Sequence, residues 1–273
     1  MQTGYYSAAA GMVTQFNRLD TIANNLANVN TNGYKEDDLV VGDFMRLYKE
    51  KRDDLPNEDN TKDAAQFLNR TMTKTPQVVD EYTDFSVGNM QKTSNQLDVA
   101  LSRENLFFAV KTPEGIRLTR DGSFTLSDEG KLITKQGYEV IGDDYFNSKE
   151  GIEFSTIDSV INIDKNGQIY TNVPGSATLT ENKKLFIASV DNLKYLQKEG
   201  DNLYKLDDMQ RLEAHEESGA VVQGFLEKSN VNAVKMMTDL IEANRLVEMY
   251  QKAMDTQMND MNRDAIEKIA RKA

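Results

Sequence analysis

Residues 5–26 read YYSAAAGMVTQFNRLDTIANNL, and this stretch decides the architecture. Apolar side chains fall at Tyr5, Ala9, Met12, Phe16, Leu19, Ala23 and Leu26, with gaps alternating between four and three residues. That alternation is the pattern of a helix that packs along a narrow seam, as in a coiled coil. Ile22 and Val29 widen the stripe, while Asn17, Asp20, Thr21, Asn24 and Asn28 form a polar face. The helix is expected to stop at Asn32-Gly33, where glycine adopts the left-handed conformation at little cost. At ~1.5 Å per residue it is about 40 Å long.

The other end of the chain repeats the design. Met237, Leu240, Ala243, Val247, Tyr250, Met254, Met258, Met261, Ala265 and Ile269 follow one another at gaps of three or four, with no Gly or Pro between Val231 and Ala273. Ser229 or Asn230 is the expected N-cap. A helix of ~40 residues is about 60 Å long, more than one compact domain covers. The two seams are expected to pair as a coiled-coil stem and to leave apolar surface for other chains, with the methionines suited to shared contacts. Asn24, Asn25 and Asn28 are either a plain polar face or amides that fix register between subunits.

Between the helices the sequence alternates short apolar segments with turn residues. Leu106–Lys111, Ile116–Arg120, Ser123–Ser127, Lys131–Thr134 and Tyr138–Ile141 are separated by Thr112-Pro113-Glu114-Gly115, Asp121-Gly122, Asp128-Glu129-Gly130 and Lys135-Gln136-Gly137. These are hairpin signals, and Asp164-Lys165-Asn166-Gly167 is another. The expected class is α+β and elongated. A helix over 1–35, a linker or extended region over 36–80, a β-rich antiparallel domain over 81–228 and a helix over 229–273 make up the chain. Residues 46–66 are highly charged and read as a solvated linker or as an arm that meets a neighbour.

Composition excludes much chemistry. Among 273 residues there is no Cys, no Trp and one His, so disulfides, thiolate metal sites, cysteine nucleophiles and multi-histidine sites are ruled out. The net charge of −12 argues against nucleic acid as a partner. The ends are nearly neutral: residues 1–35 hold Arg18 and Lys35 against Asp20, and residues 231–273 hold seven bases against seven acids. The acidity therefore sits in the middle. No apolar run is long enough for a membrane span, and no cleavable secretory signal is read at the start, so no membrane insertion is expected.

Catalytic and cofactor motifs are missing. His215 lies among glutamates in LEAHEESG and reads as an exposed side chain; Asp164, Asn166 and Gln168 lack the Gly and Glu of a calcium loop; Asp143-Asp144 reads as a solvated turn. No HExxH, GxGxxG or GxxxxGK[ST] occurs. No cofactor, metal or catalytic residue is therefore assigned. The competing readings are a carboxylate hydrolase, resting only on abundant Asp, and a binding module carried on a dimeric coiled coil.

Three further runs carry a resemblance. Ala23-Asn24-Asn25-Leu26-Ala27-Asn28 with Asn30-Thr31 and Gly33-Tyr34-Lys35 is one. Asn95-Gln96-Leu97-Asp98-Val99-Ala100-Leu101 with Phe107-Phe108 and Thr119-Arg120-Asp121-Gly122-Ser123-Phe124 is the second. Gln223-Gly224-Phe225-Leu226-Glu227-Lys228-Ser229-Asn230-Val231-Asn232 is the third. In this order they resemble the signatures of the bacterial flagellar rod and hook proteins. The resemblance implies a non-enzymatic subunit of the basal-body rod. Such subunits are exported without a cleavable signal and polymerise through their terminal helices into a hollow, torque-bearing shaft across the periplasm. Its implied partners are copies of itself, other rod proteins, the flagellar type III export machinery, and basal-body ring and hook proteins. Asp80-Glu81-Tyr82-Thr83-Asp84-Phe85-Ser86 with Gly88 and Met90 leans toward the proximal-rod members, and GYYSAAAGM toward the distal-rod members.

Overall fold

The structure is a computed structural model that describes residues 2–43, 76–145, 151–154, 160–172, 180–206, 213–214 and 219–270. The expectations for residues 44–75, His215 and the side chains of Ala265 and Ile269 lie outside the described part. The chain divides into two compact units: Met1–Ala27, Asp37–Thr83 and Asn232–Ala273 form the first, and Asn28–Glu36 with Asp84–Val231 form the second.

The first unit holds helix α1 (Gln2–Ala27) and a long C-terminal helix. Strands β1 (Glu36–Asp43) and β2 (Pro76–Asp84), the second running past the 36–80 stretch read as a linker or extended region, pair with each other. Helix α1 stops five residues before the expected Asn32. Asn28 closes the chain into a turn, its carbonyl accepting from Thr31 N and its side chain from Thr31 Oγ1 at 3.1 Å. Gly33, at φ 68°, belongs to the loop that follows. A Cβ there would lie 2.5 Å from the Arg120 carbonyl carbon, so only glycine fits.

The second unit is antiparallel throughout its assigned pairings. Its strands are β3 (Met90–Lys92), β4 (Val99–Leu101), β5 (Leu106–Thr112), β6 (Gly115–Thr119), β7 (Phe124–Leu126), β8 (Leu132–Thr134), β9 (Glu139–Val140), β10 (Val160–Ile163), β11 (Gln168–Asn172), β12 (Thr180–Lys184), β13 (Ile187–Ser189), β14 (Leu196–Glu199), β15 (Leu203–Leu206), β16 (Glu213–Ala214), β17 (Val221–Gln223) and β18 (Phe225–Glu227). The largest sheet runs β14-β15-β6-β5-β9-β8-β7, with β13 also on β5 and β16 on β13. Strands β10-β11-β12 form a second sheet, and β17-β4 and β18-β3 are two-stranded.

Strand β5 explains the position of the core. Its continuous apolar run LFFAV is buried on both faces, as a central strand requires. Leu106, Phe108 and Val110 enter a cluster with Val99, Phe124, Leu132, Ile169 and Leu185. Phe107 and Ala109 point the other way, to Phe85, Leu118, Phe186 and Tyr204. In that second cluster the Phe85, Phe107 and Tyr204 rings meet with centroids 5.4–5.8 Å apart. The hairpins lie where the turn residues put them. Asp164 Oδ1 accepts from Asn166 N (2.8 Å) and Gln168 N (2.9 Å), closing the β10–β11 turn. Phe108 packs edge-on against Phe124 at 5.0 Å, so Phe108→Ala is expected to cost about 3–5 kcal/mol in a urea-unfolding measurement.

Candidate assembly site

The C-terminal helix α2 (Ala233–Ala270) begins three residues past Asn230 and four past Ser229, the expected caps. Asn232 is the cap: its Oδ1 accepts from Val234 N at 3.0 Å and Lys235 N at 3.2 Å. The two candidate caps are engaged elsewhere. Ser229 Oγ accepts from Val231 N, and Asn230 Oδ1 accepts from Glu36 N.

Helices α1 and α2 lie side by side and antiparallel. Gly4 faces the Gln257 amide, Gly11 faces the Tyr250 ring, and Asn25 Nδ2 lies 3.9 Å from Met236 Sδ. Seven residues forward on α1 thus match seven back on α2. The inner face of α2 runs Met236, Leu240, Ala243, Val247, Tyr250, Met254, Gln257 and Met261, all buried or half-buried, at gaps alternating four and three. Five of the residues read as the C-terminal seam (Leu240, Val247, Tyr250, Met254, Met261) are on this face. Met237 and Met258 are not: they are 53% and 49% exposed, and Met236 and Gln257 take their places.

On α1 the inner face is displaced by about one residue from the expected seam. Gly11, Thr14, Ile22 and Asn25 are its buried residues. Tyr5, Ala9, Met12, Leu19 and Leu26 are half-buried at its flank, whereas Ala23 is exposed and Phe16 is 46% exposed. Small groups hold the inner line because α2 supplies the bulk. A Cβ on Gly11 would come within 2.6 Å of the Tyr250 ring.

Asn25 does its work inside the chain. It is 2% exposed; its Nδ2 donates to Asp37 O at 2.7 Å and its Oδ1 accepts from Asp37 N at 3.0 Å, so the amide satisfies both backbone groups of one residue of β1. Asn24 is exposed, and Asn28 belongs to the turn after α1.

The inner faces leave several large apolar residues outside. On α1, Tyr6, Val13 and Phe16 are exposed along one line. On α2, Val234, Ile241 and Met249 are exposed along another, Met237 and Met258 are exposed off that line, and Thr238, Ile241, Glu242, Arg245, Leu246, Glu248 and Met249 line a groove. Stripes of this kind on a soluble surface mark contact sites.

A second constellation, entirely within the second unit, was not singled out from the sequence. Glu227 on β18 is buried with Lys35 and Arg120. Its Oε1 accepts from Lys35 Nζ at 2.6 Å and Gly88 N at 2.9 Å; its Oε2 accepts from Arg120 Nε at 2.9 Å and Nη2 at 2.6 Å. Lys35 also donates to Ser86 O, and Arg120 Nη1 to the Arg103 and Leu106 carbonyls. Burial pushes both the Lys35 ammonium and the Arg120 guanidinium below their ordinary values, against the pull of Glu227. Around this core, Gly33 N donates to Glu227 O, Lys228 Nζ to Asn32 Oδ1, and Asn230 Nδ2 to Asp84 O. No group of acidic or histidine side chains able to hold a metal occurs among the described residues, and no described helix is long and apolar enough to cross a membrane.

Three family models match parts of the chain. The family described as "Flagella basal body rod protein" matches residues 6–35, "Flagellar hook protein FlgE/F/G D1 domain" matches 105–171, and "Flagellar basal body rod FlgEFG protein C-terminal" matches 222–267. A flagellar basal-body rod protein FlgG of Agrobacterium fabrum is 34% identical, covering 91% of this chain and 93% of the relative. A FlgG of Borreliella burgdorferi is 31% identical over 95% of this chain and 96% of the relative. A FlgF of Caulobacter vibrioides is 29% identical over 99% of both.

Two measurements test the geometry. Glu227→Gln strands two buried cations and is expected to lose about 3–5 kcal/mol in urea unfolding, whereas Glu139→Gln, at the half-exposed Lys131 pair, is expected to change little. Gly11→Ala is expected to lower the helix melting temperature, and Tyr250→Ala in the same chain to relieve part of that loss.

Proposed function

The chain belongs to the flagellar basal-body rod protein family, and from that premise we propose that it polymerises through the outward faces of α1 and α2 into the shaft of the rod. It is a structural rod subunit and not an enzyme. Its place is the flagellar basal body. The observation that carries the assembly route is the pair of apolar stripes left outside an already packed helix pair. One stripe holds Tyr6, Val13 and Phe16, and the other holds Val234, Ile241 and Met249. Two different surfaces on one chain make head-to-tail contacts, which build a filament when the rotation between copies does not close.

In this reading the paired helices form a coiled-coil stem, supported by the alternating gaps of the α2 inner face. The β-rich unit carries most of the acidic charge and suits a solvated outer surface. Export through the type III apparatus, without a cleavable signal, and contact with ring and hook proteins belong to the same proposal. Residues 80–90 favour the proximal rod. A second reading, the distal rod, is favoured by the FlgG-named relative at 34% identity against 29% for the FlgF-named one.

Charging either stripe tests the route. Val13→Asp and Ile241→Asp are each expected to abolish concentration-dependent association in sedimentation velocity and to fail to restore motility in cells lacking the native chain. Circular dichroism should stay as in the parent, because both sites are exposed. Association at parental strength by either variant would refute the helix-face route.

A further inference from the structure

Residues 219–231 are held in the β-rich unit by partners from much earlier in the chain. Gly219 N and Val221 N donate to Lys165 O at 3.2 Å, and Ala220 O accepts from Ser102 N at 2.9 Å. Strand β17 then pairs with β4, and β18 with β3. Between them, Gly224 N donates to Asp98 O and Gly224 O accepts from Thr93 N, both at 2.8 Å. Gly224, at φ 73°, makes the bend from one strand to the next. The Gln223 amide laces a second region to the same segment. Its Nε2 donates to Gln96 O and Ile161 O at 2.8 Å, and its Oε1 accepts from Ile163 N at 3.1 Å. Ala220, Val221, Leu226, Glu227, Ser229 and Val231 are all buried.

Two features set this segment apart from the hairpins. The first is pairing. Strands β3 and β4 have no other strand partner among the described residues, and β4 is buried throughout. Ala220 and Val221 also close the cluster that holds Val99, Leu101, Ile161 and Ile163. Without 219–231 these apolar side chains and ladder groups would face water. The second feature is charge. The Lys35 and Arg120 side chains are fully buried, and Glu227 is the one carboxylate among the described residues that pairs with either. Arg120 directly follows β6 and donates to Leu106 O at the start of β5. The β5–β6 hairpin is local and can form early, but it carries this cation without a counter-ion until Glu227 arrives. A closed interior holding two unpaired cations is strongly disfavoured.

We propose that residues 219–231 are a closing strap: the β-rich unit holds its fold only when this segment is docked, with Glu227 as the charge that permits closure. A chain made from its N-terminus therefore keeps this unit open until residue 231 has followed. The strap lies wholly within the β-rich unit, so its closing is separate from association through the outward helix faces.

Amide hydrogen exchange on the full-length parent chain, over a urea series below the unfolding midpoint, tests the strap. The slowest amides of 219–231 and those of β5 and β6 are expected to exchange within about tenfold of each other and to share one urea dependence, because they open together. Strap amides that exchange faster than this, or with a shallower urea dependence, mean that the unit holds without its strap and overturn the proposal. Pulse-labelled refolding of the same chain gives the order of events. Strands β5 and β6 are expected to gain protection in the same phase as the strap; protection of β5 and β6 in an earlier phase overturns it. Glu227→Gln is expected to speed exchange in β5 and β6 by the same factor as in the strap, and acceleration confined to the strap overturns it as well.

Discussion

One carboxylate sets the electrostatic balance of the β-rich unit. Glu227 is buried with two cations, and each partner alone would carry a desolvation cost of several kcal/mol. The arrangement survives because every atom is used. The carboxylate accepts four hydrogen bonds, and the spare donors of Lys35 and Arg120 end on backbone carbonyls. The segments so joined are special ones. The chain passes between its two units after Ala27, Glu36, Thr83 and Val231. Lys35, Ser86, Gly88 and Glu227 lie on the β-rich side of these passages, and Glu36, Asp84 and Asn230 are tied to one another beside them. The polar cluster therefore gathers the ends of that unit.

The helical unit solves a different problem. A helix with apolar residues around much of its circumference must decide which side meets its own partner. Here size decides. Gly4, Gly11 and Thr14 let α1 approach closely, and Tyr250, Gln257 and Met236 of α2 fill the space. Bulky Phe16 and Val13 are then left on the other side. The heptad reading placed Phe16 and Ala23 in the seam because it weighs hydrophobicity alone. The packed face of α1 includes glycine, threonine and asparagine, which such a reading passes over. On α2 the same reading fared better, since Leu240, Val247, Tyr250, Met254 and Met261 are both the apolar and the inward residues.

The β-hairpins were legible almost to the residue, because turn chemistry is local: Asp164 closes its own turn with its own side chain. The α2 cap slipped because Ser229, Asn230 and Asn232 are equally good caps by type, and only tertiary partners for Asn230 leave Asn232 free to serve. Glu227 was out of reach for a related reason. Its partners lie 107 and 192 residues away in sequence, and no periodicity joins them. The runs quoted for the family resemblance did contain Lys35, Arg120 and Glu227 as well as Asn95, Gln96 and Gln223. The last three cross-brace loops through Asn95–Asp98, Gln96–Ile161 and Gln223–Ile163 bonds.

The charge distribution completes the physical case for association by the helices. A chain with net charge −12 repels its copies, but the repulsion is carried by the middle of the sequence, while the helical ends are close to neutral. Screening at physiological salt acts over about 8 Å, and the near-neutral helices add little to that repulsion. Apolar area then supplies the attraction at roughly 25 cal/mol per Å², and it does so without direction. Direction must come from elsewhere. Within one chain the fit of Gly4 against Gln257 and of Gly11 against Tyr250 supplies it for the helix pair.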